Sequence, residues 1–461
     1  MGKPVVFIVA KGFEASARFN AQGEGLSNLS VATFPLAAVP TSEEIKDLKL
    51  GEKVSGEATR ALTQKLPRTT QTGDIAGPIL EFSGRDYAEA TGNMEKYFLQ
   101  RCWSDGYPLV PPTPEAVDRM LEGTELARSQ ILGLMEPGAG KVTVEKVAVN
   151  AVMAGCLPHY MPVVVAAIEA ILDPRFDLRG VQTTAGLVSP LLIISGQKLI
   201  DRLNINDSFS TMGPGWRANA TIGRAVRLCM INLGYAWPGK NDMKSLGSPF
   251  KHVTMIAESE HDYNGAWEPI RVAEGFAQNE ATVSVMPAVT WQPDLVKPEL
   301  STTGNVIELV SKQAKVKYDR FADMWGMDNL LLVSPTVFDI FRKEHRSRSD
   351  IQKALFEAIQ LPCKEFFAGK EPAKELGVNV EPLPDWLVNR CKLNPGGTAP
   401  LLPSPEAMKI CVTGGPGPGM FAFVGTWGFG PAFFVTKAIK LPANWENLLE
   451  KYKGWETPAI K

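Results

Sequence analysis

Short, unbroken apolar runs constrain the fold of this 461-residue chain more than any other feature. PVVFIVA at 4–10, PLLIISG at 190–196, NLLLVSP at 329–335 and AMKICVTGG at 407–415 are too short for helices. They read as strands, and a continuously apolar, β-branched run such as the first suits a strand buried on both faces. HVTMIAES (252–259) and ATVSVMPA (281–288) join them as strands. Between them stand helical stretches: VTVEKVAVNAVMAG (142–155), PHYMPVVVAAIEAILD (158–173), ATIGRAVRLCMINLG (220–234), VFDIFRKEH (337–345) and RSDIQKALFEAIQ (348–360). Strand and helix keep changing places, so the fold class is α/β. No fixed-period repeat or low-complexity tract interrupts this order.

The amino terminus reads as a β-α-β unit: a strand in PVVFIVA, a helix within GFEASARFNAQGEGL (12–26) ending near Gly23 or Gly25, and a second strand in LSVATFPL (29–36). Two parallel strands cannot bury both faces, so residues 1–65 read as a small, incomplete α/β domain that something else completes. LPRTTQTGDIAGP marks a linker over 66–84, and 85–461 forms a larger mixed α/β domain, with room for two subdomains. Within it, Thr113 and Pro114 signal the cap and first turn of a helix.

A formal net charge of −2 and scattered Lys and Arg argue against a nucleic-acid partner. No run is long and apolar enough for a membrane span, and the Val5–Ala10 run lacks a cleavage site. Six widely spaced cysteines (102, 156, 229, 363, 391, 411), without CxxC, suggest free thiols in a reducing cytoplasm. The expectation is a soluble cytoplasmic protein.

Three segments carry candidate chemistry. In AGCLPHYMP (154–162), a left-handed Gly155 would end one helix and Pro158 would open the next. Cys156 would then lie beside free amides and the positive dipole end, which favours thiolate, with His159 as proton partner. The competing reading is a small buried hydrophobe between two apolar helices. In STMGPGWRANATIGRAVRL (210–228), Gly213 and Gly215 precede a helix carrying Arg217, Asn219, Thr221 and Arg224, a pattern suited to a carboxylate or phosphate. A Gly-Pro turn with solvent-facing arginines explains it equally well. Pro416 and Pro418 in GGPGPG (414–419) remove amide donors, so this segment reads as a wall or lid rather than a nucleotide loop.

Other constellations have plainer explanations. Cys102, Trp103, Asp105 and Tyr107 cluster around an Asp-Gly turn. ESEHD (258–262) reads as an exposed loop, and four histidines are too sparse for an obvious metal site. GAGKVT (138–143) fails as a phosphate loop because Met135 stands where its first glycine belongs and Val142 follows the lysine. No nucleotide-binding motif is found and the cofactor is left open.

Several blocks resemble the UGSC family of (seleno)proteins: 143–184, GPGWRANATIGRAVRLCMINLG, WEPIRVAEGF, MDNLLLVSPTVFDIF and GGPGPGMFAFVGTWGFGPAFFVTKAI. The resemblance runs from about Cys102 to the end. It implies that the opening segment is the back half of the family's amino-terminal domain. The family's redox motif, bearing selenocysteine or cysteine, lies upstream of the strand matching PVVFIVA and has no counterpart here. His159 also stands where an acidic residue would be expected.

The residues read as a subunit of a thiol-dependent, redox-linked enzyme acting on a small anionic organic substrate, and the resemblance implies that a small partner subunit supplies the redox centre. In that reading Cys156 is nucleophile or redox partner and His159 acid/base. Arg217, Arg224, Gly213 and Gly215 hold the anion, and Asn219 orients it. The alternatives are a lyase or hydrolase working through Cys156 alone, and a non-catalytic anion-binding scaffold subunit.

Overall fold

The computed structural model describes residues 6–10, 14, 17–18, 30–34, 48–63, 79–251, 255–263, 265–318, 327–368, 385–427 and 432–456. The chain is α/β, as the alternation of apolar runs requires. At the amino terminus β1 (Val6–Ala10) and β2 (Ser30–Phe34) pair in parallel, with α1 (Leu48–Thr63) packed on both. Most of the helix expected over 12–26 and of the linker expected over 66–84 lies outside the described residues.

Beyond residue 79 the described chain continues with α2 (Tyr87–Gln100) and α3 (Pro114–Leu121). The Thr113 hydroxyl caps α3 by accepting from the Ala116 amide at 3.3 Å, as its position before Pro114 predicts. The hairpin β3 (Ile131–Met135) and β4 (Gly140–Thr143) follows, its turn formed by Glu136 to Ala139. Then come α4 (Val144–Ala154), α5 (Met161–Ile171) and α6 (Leu178–Thr183). In α5 every residue but Glu169 is buried.

The large sheet contains β5 (Ser189–Ser195), β6 (Met255–Ala257), β7 (Thr282–Val296) and β8 (Asn329–Val333). Helix α7 (Gln197–Arg202) and the long α8 (Arg217–Asn232) connect β5 to β6. Helices α9 (Thr303–Tyr318), α10 (Pro335–Lys343) and α11 (Arg348–Ala358) flank β8. A small hairpin, β9 (Gln360–Pro362) with β10 (Thr398–Pro400), encloses α12 (Cys363–Ala368) and α13 (Asp385–Leu393). The sheet is completed by β11 (Met408–Val412), β12 (Gly419–Thr426) and β13 (Val435–Ala438), and α14 (Trp445–Lys451) follows.

The strand order is β11-β8-β12-β7-β5-β6. The first half of β7 is paired by β5 on one side and β13 on the other, and its second half by β12. The sheet curls until its two edges meet: Ser259 donates to the Val412 carbonyl at 2.8 Å, and the Thr413 hydroxyl to the Ala257 carbonyl at 2.7 Å. Side-chain alternation then sorts the core. Leu191, Ile193, Met286, Leu332 and Val424 fill the inside of the curl. Leu192, Ile194, Val283 and Val285 face α4, α5 and α8, whereas Leu331, Val333, Ile410 and Phe423 face α9, α10 and α11.

Among the described residues no helix is long and apolar enough to cross a membrane. The cysteine expectation needs correction. Cys363 and Cys391 form a disulfide joining α12 to α13, so six free thiols do not describe this chain. Sequence spacing could not show it, because folding brings together residues 28 positions apart.

Candidate functional site

The α4–α5 junction forms as expected up to a point. Gly155 takes the left-handed conformation at φ 87°, and Pro158 opens a short turn of 3-10 helix before α5. Cys156, however, is 7% exposed, and its thiol donates to the Thr221 carbonyl of α8 at 3.3 Å. Burial pushes the thiol up to about 12, outweighing that hydrogen bond and the fields of Arg217 and Arg224. The depressed thiol pKa expected from the helix dipole is thus reversed, because desolvation at a helix–helix contact exceeds it. His159 is fully buried, its Nε2 in hydrogen-bond contact with Glu456 Oε1 at 2.7 Å and its ring edge-on to Tyr160. Expected as the proton partner of Cys156, it has its Nε2 engaged by Glu456 instead.

The amino end of α8 is likewise spent on the fold. Arg217 donates from Nε and Nη2 to the Gly155 carbonyl, both at 3.1 Å, and from Nη1 to the Trp455 carbonyl. Asn219 is buried and clamps both backbone groups of Asn206, accepting its N–H at 2.8 Å and donating to its carbonyl at 3.0 Å. These bonds engage both side chains, expected to meet substrate, with the backbone of the protein itself. Gly213 lines a separate groove of about 420 Å³ with Phe209, Met212, Trp291 and the 414–418 segment, which forms its wall. Gly215, at φ 119°, makes the turn before α8. Neither glycine lines the cavity that Arg224 lines.

That cavity, about 750 Å³, lies between α8, the loop at 105–107 and residues 237–251, which lead from α8 to β6. Four basic side chains line it, Arg224, Arg227, Lys244 and Lys251, against two carboxylates, Asp105 and Asp242. Arg224 grips Asp105. Asp242 is shared by Arg227, Lys244 and Lys251. Burial acts to raise the Asp242 carboxyl, but its three cationic neighbours prevail and hold it below the usual range. Burial also lowers the lysines and Arg227, bringing Lys244 to about 8.

Arg227 is nearly sealed. Nη2 reaches the Ala236 carbonyl at 3.3 Å and Asp242 at 3.4 Å, while Nη1 has no acceptor in the protein. A buried guanidinium with an unsatisfied donor, in a cleft with more cations than carboxylates, suits a small anion.

A second cavity, about 440 Å³, adjoins the first across shared residues Ile231 and Trp237. It is lined by Cys102, Trp103, the 138–140 turn, Tyr235 and Lys240. Gly140 is required there, since a Cβ would sit 2.0 Å from the Leu233 carbonyl oxygen.

Elsewhere, ESEHD departs from the exposed loop expected. Glu258 is fully buried, accepting from Ser195, Tyr263 and the Ile270 amide, and Glu260 pairs with Arg271. This network closes the sheet where its edges meet. Among the described residues no group of three His, Cys, Asp or Glu side chains is placed to hold a metal ion.

Arg227, Asp242, Lys244 and Lys251 were missed from the sequence. The spacing of Arg224 and Arg227, three apart on one helix, was the available signal. Asp242 and the lysines sit in a connection without periodicity. No protein-family model, curated protein or solved structure matches this chain.

Proposed function

We propose that the chain is a subunit of an enzyme acting on a small anionic organic molecule, a carboxylate or phosphate ester, bound in the cavity beside α8. The observation that carries this reading is Arg227, a residue of the cavity lining whose buried Nη1 has no acceptor in the protein. Its neighbours add a surplus of positive charge. The block resembling the UGSC family, GPGWRANATIGRAVRLCMINLG, is the helix that carries Arg224 and Arg227.

A partner subunit bringing a cysteine or selenocysteine centre belongs to the same proposal. Its support is that β1 and β2 pair only with each other among the described residues. Co-purification from the native source tests that part.

Calorimetric titration with malonate and with inorganic phosphate tests the site. Both anions should bind the wild type, and Lys251→Met and Arg227→Lys should each weaken binding about tenfold, as losing one charge-assisted contact does. Equal binding by all three proteins, or none by any, refutes the reading.

A further inference from the structure

With Cys156 sealed, the thiol chemistry expected of this chain needs another sulfur. The other free cysteines are Cys102, Cys229 and Cys411; Cys229 and Cys411 are buried, and Cys102 is half-exposed. Cys102 sits in the turn that ends α2. Its amide donates to the Leu99 carbonyl at 3.0 Å, and the Trp103 amide to Phe98 at 2.9 Å. This is the Schellman arrangement, in which glycine normally takes the left-handed position. Here a cysteine holds it at φ 61°. A left-handed cysteine costs about 1 kcal/mol relative to glycine, so the thiol is kept at a local expense.

The surroundings repeat that pattern. Seven non-glycine residues among those described have positive φ, and three of them, Cys102, Ala139 and Tyr235, line the same cavity. Trp103 packs edge-on against Phe98 and Tyr97, fixing the turn from behind. Lys240 Nζ approaches Cys102 Sγ at 3.5 Å. Two short segments then serve both cavities. One places Cys102 and Trp103 in one and Asp105 and Tyr107 in the other; the second spans Trp237 to Lys240. The unsatisfied Arg227 lies in the adjoining cleft.

We infer that Cys102 is the nucleophilic thiol of this chain, its sulfur beside Lys240 Nζ attacking an electrophilic carbon on a small anion held in the neighbouring cationic cavity. The inference rests on the anion-binding reading for its substrate class, and on the Cys102–Lys240 pair for its nucleophile. With an aldehyde acid the step balances without oxidant or reductant. The thiol proton leaves to water and Sγ forms a bond to the carbonyl carbon. The C=O π pair moves to oxygen, which takes a proton from water and leaves a thiohemiacetal.

The test is alkylation of the full-length native protein by iodoacetamide and iodoacetate at pH 7.5, read by peptide mapping, for wild type, Lys240→Met and Lys251→Met. Lys240 is exposed, and matched circular dichroism of wild type and variant controls for the fold. Cys102 should be labelled first of all cysteines, and about five- to tenfold faster in wild type than in Lys240→Met, the effect of one unit charge at this distance in water. Iodoacetate should be favoured over iodoacetamide more than it is for glutathione, and glyoxylate should protect. Absence of Cys102 labelling, or equal iodoacetamide rates with and without Lys240, overturns the nucleophile. A Lys240-dependent rate without preference for iodoacetate, unchanged in Lys251→Met, overturns the anionic substrate class while the nucleophile stands.

Discussion

Arg224 holds Asp105 through two parallel contacts, Nε to Oδ2 at 2.7 Å and Nη2 to Oδ1 at 2.9 Å. The same guanidinium donates to the Tyr107 and Pro108 carbonyls. A helix residue expected to grip substrate thus fastens the segment that carries Cys102 on one side and lines the cationic cavity on the other. It shapes the site as well as charging it.

Asp105→Ala should therefore destabilise the protein by about 3 kcal/mol in urea denaturation, since the two side chains are only 12% and 18% exposed and a guanidinium would be left unpaired. Asp105→Asn, which keeps one acceptor, should lose less. Equal stability of Asp105→Ala and wild type would show that the pair is solvated.

Lys244 links stability to pH. Its side chain is 1% exposed, and Nζ donates to the Val181 and Gln182 carbonyls at the end of α6. Burial brings its folded pKa to about 8 from 10.5, so the fold disfavours the charged amine. Below pH 8 that cost is fully present; between pH 8 and 10.5 the unfolded chain holds the proton that the folded chain has released, and stability rises. Wild type should gain up to about 3 kcal/mol over Lys244→Met across this window in matched denaturation curves. A constant difference would mean that the ammonium is not desolvated.

Cys156 should resist alkylation. With its thiol pushed up to about 12, about one molecule in ten thousand is thiolate at pH 8, and the sulfur is enclosed. Mass spectrometry after iodoacetamide treatment at pH 7–9 should find it modified only once urea is added. Labelling in the native state at the rate of Cys102 would return Cys156 to the active site.

The Cys363–Cys391 bridge should appear as a linked peptide in non-reducing digests. Reduction should lower stability by about 3–4 kcal/mol, the loop-entropy value for a closure of 28 residues. The cavity proposed to take the anion is built from other elements and should keep its affinity.

Local signals served well wherever a few neighbouring residues decide the outcome. Thr113-Pro114, Thr143 and Gly155 marked helix ends, and NLLLV and MKICV marked strands, because caps, left-handed turns and apolar runs act within one or two turns. The strand Gly419–Thr426 went unrecognised: its pairing with β7 and β8 comes from distant segments, and its glycine-rich flank reads as loop.

The same division runs through the site. The sequence alone placed Arg224 beside a possible anion and noticed that Cys102, Trp103, Asp105 and Tyr107 cluster. Only the tertiary structure decided which thiol is reachable and which arginine of the cavity keeps a buried nitrogen without an acceptor. Cys156 and Cys102 both follow a helix end, and nothing in their neighbours states that α8 covers one while Lys240 approaches the other. Burial and charge balance sum over groups far apart in the chain, and those sums exist only once the sheet has curled and the helices have closed over it.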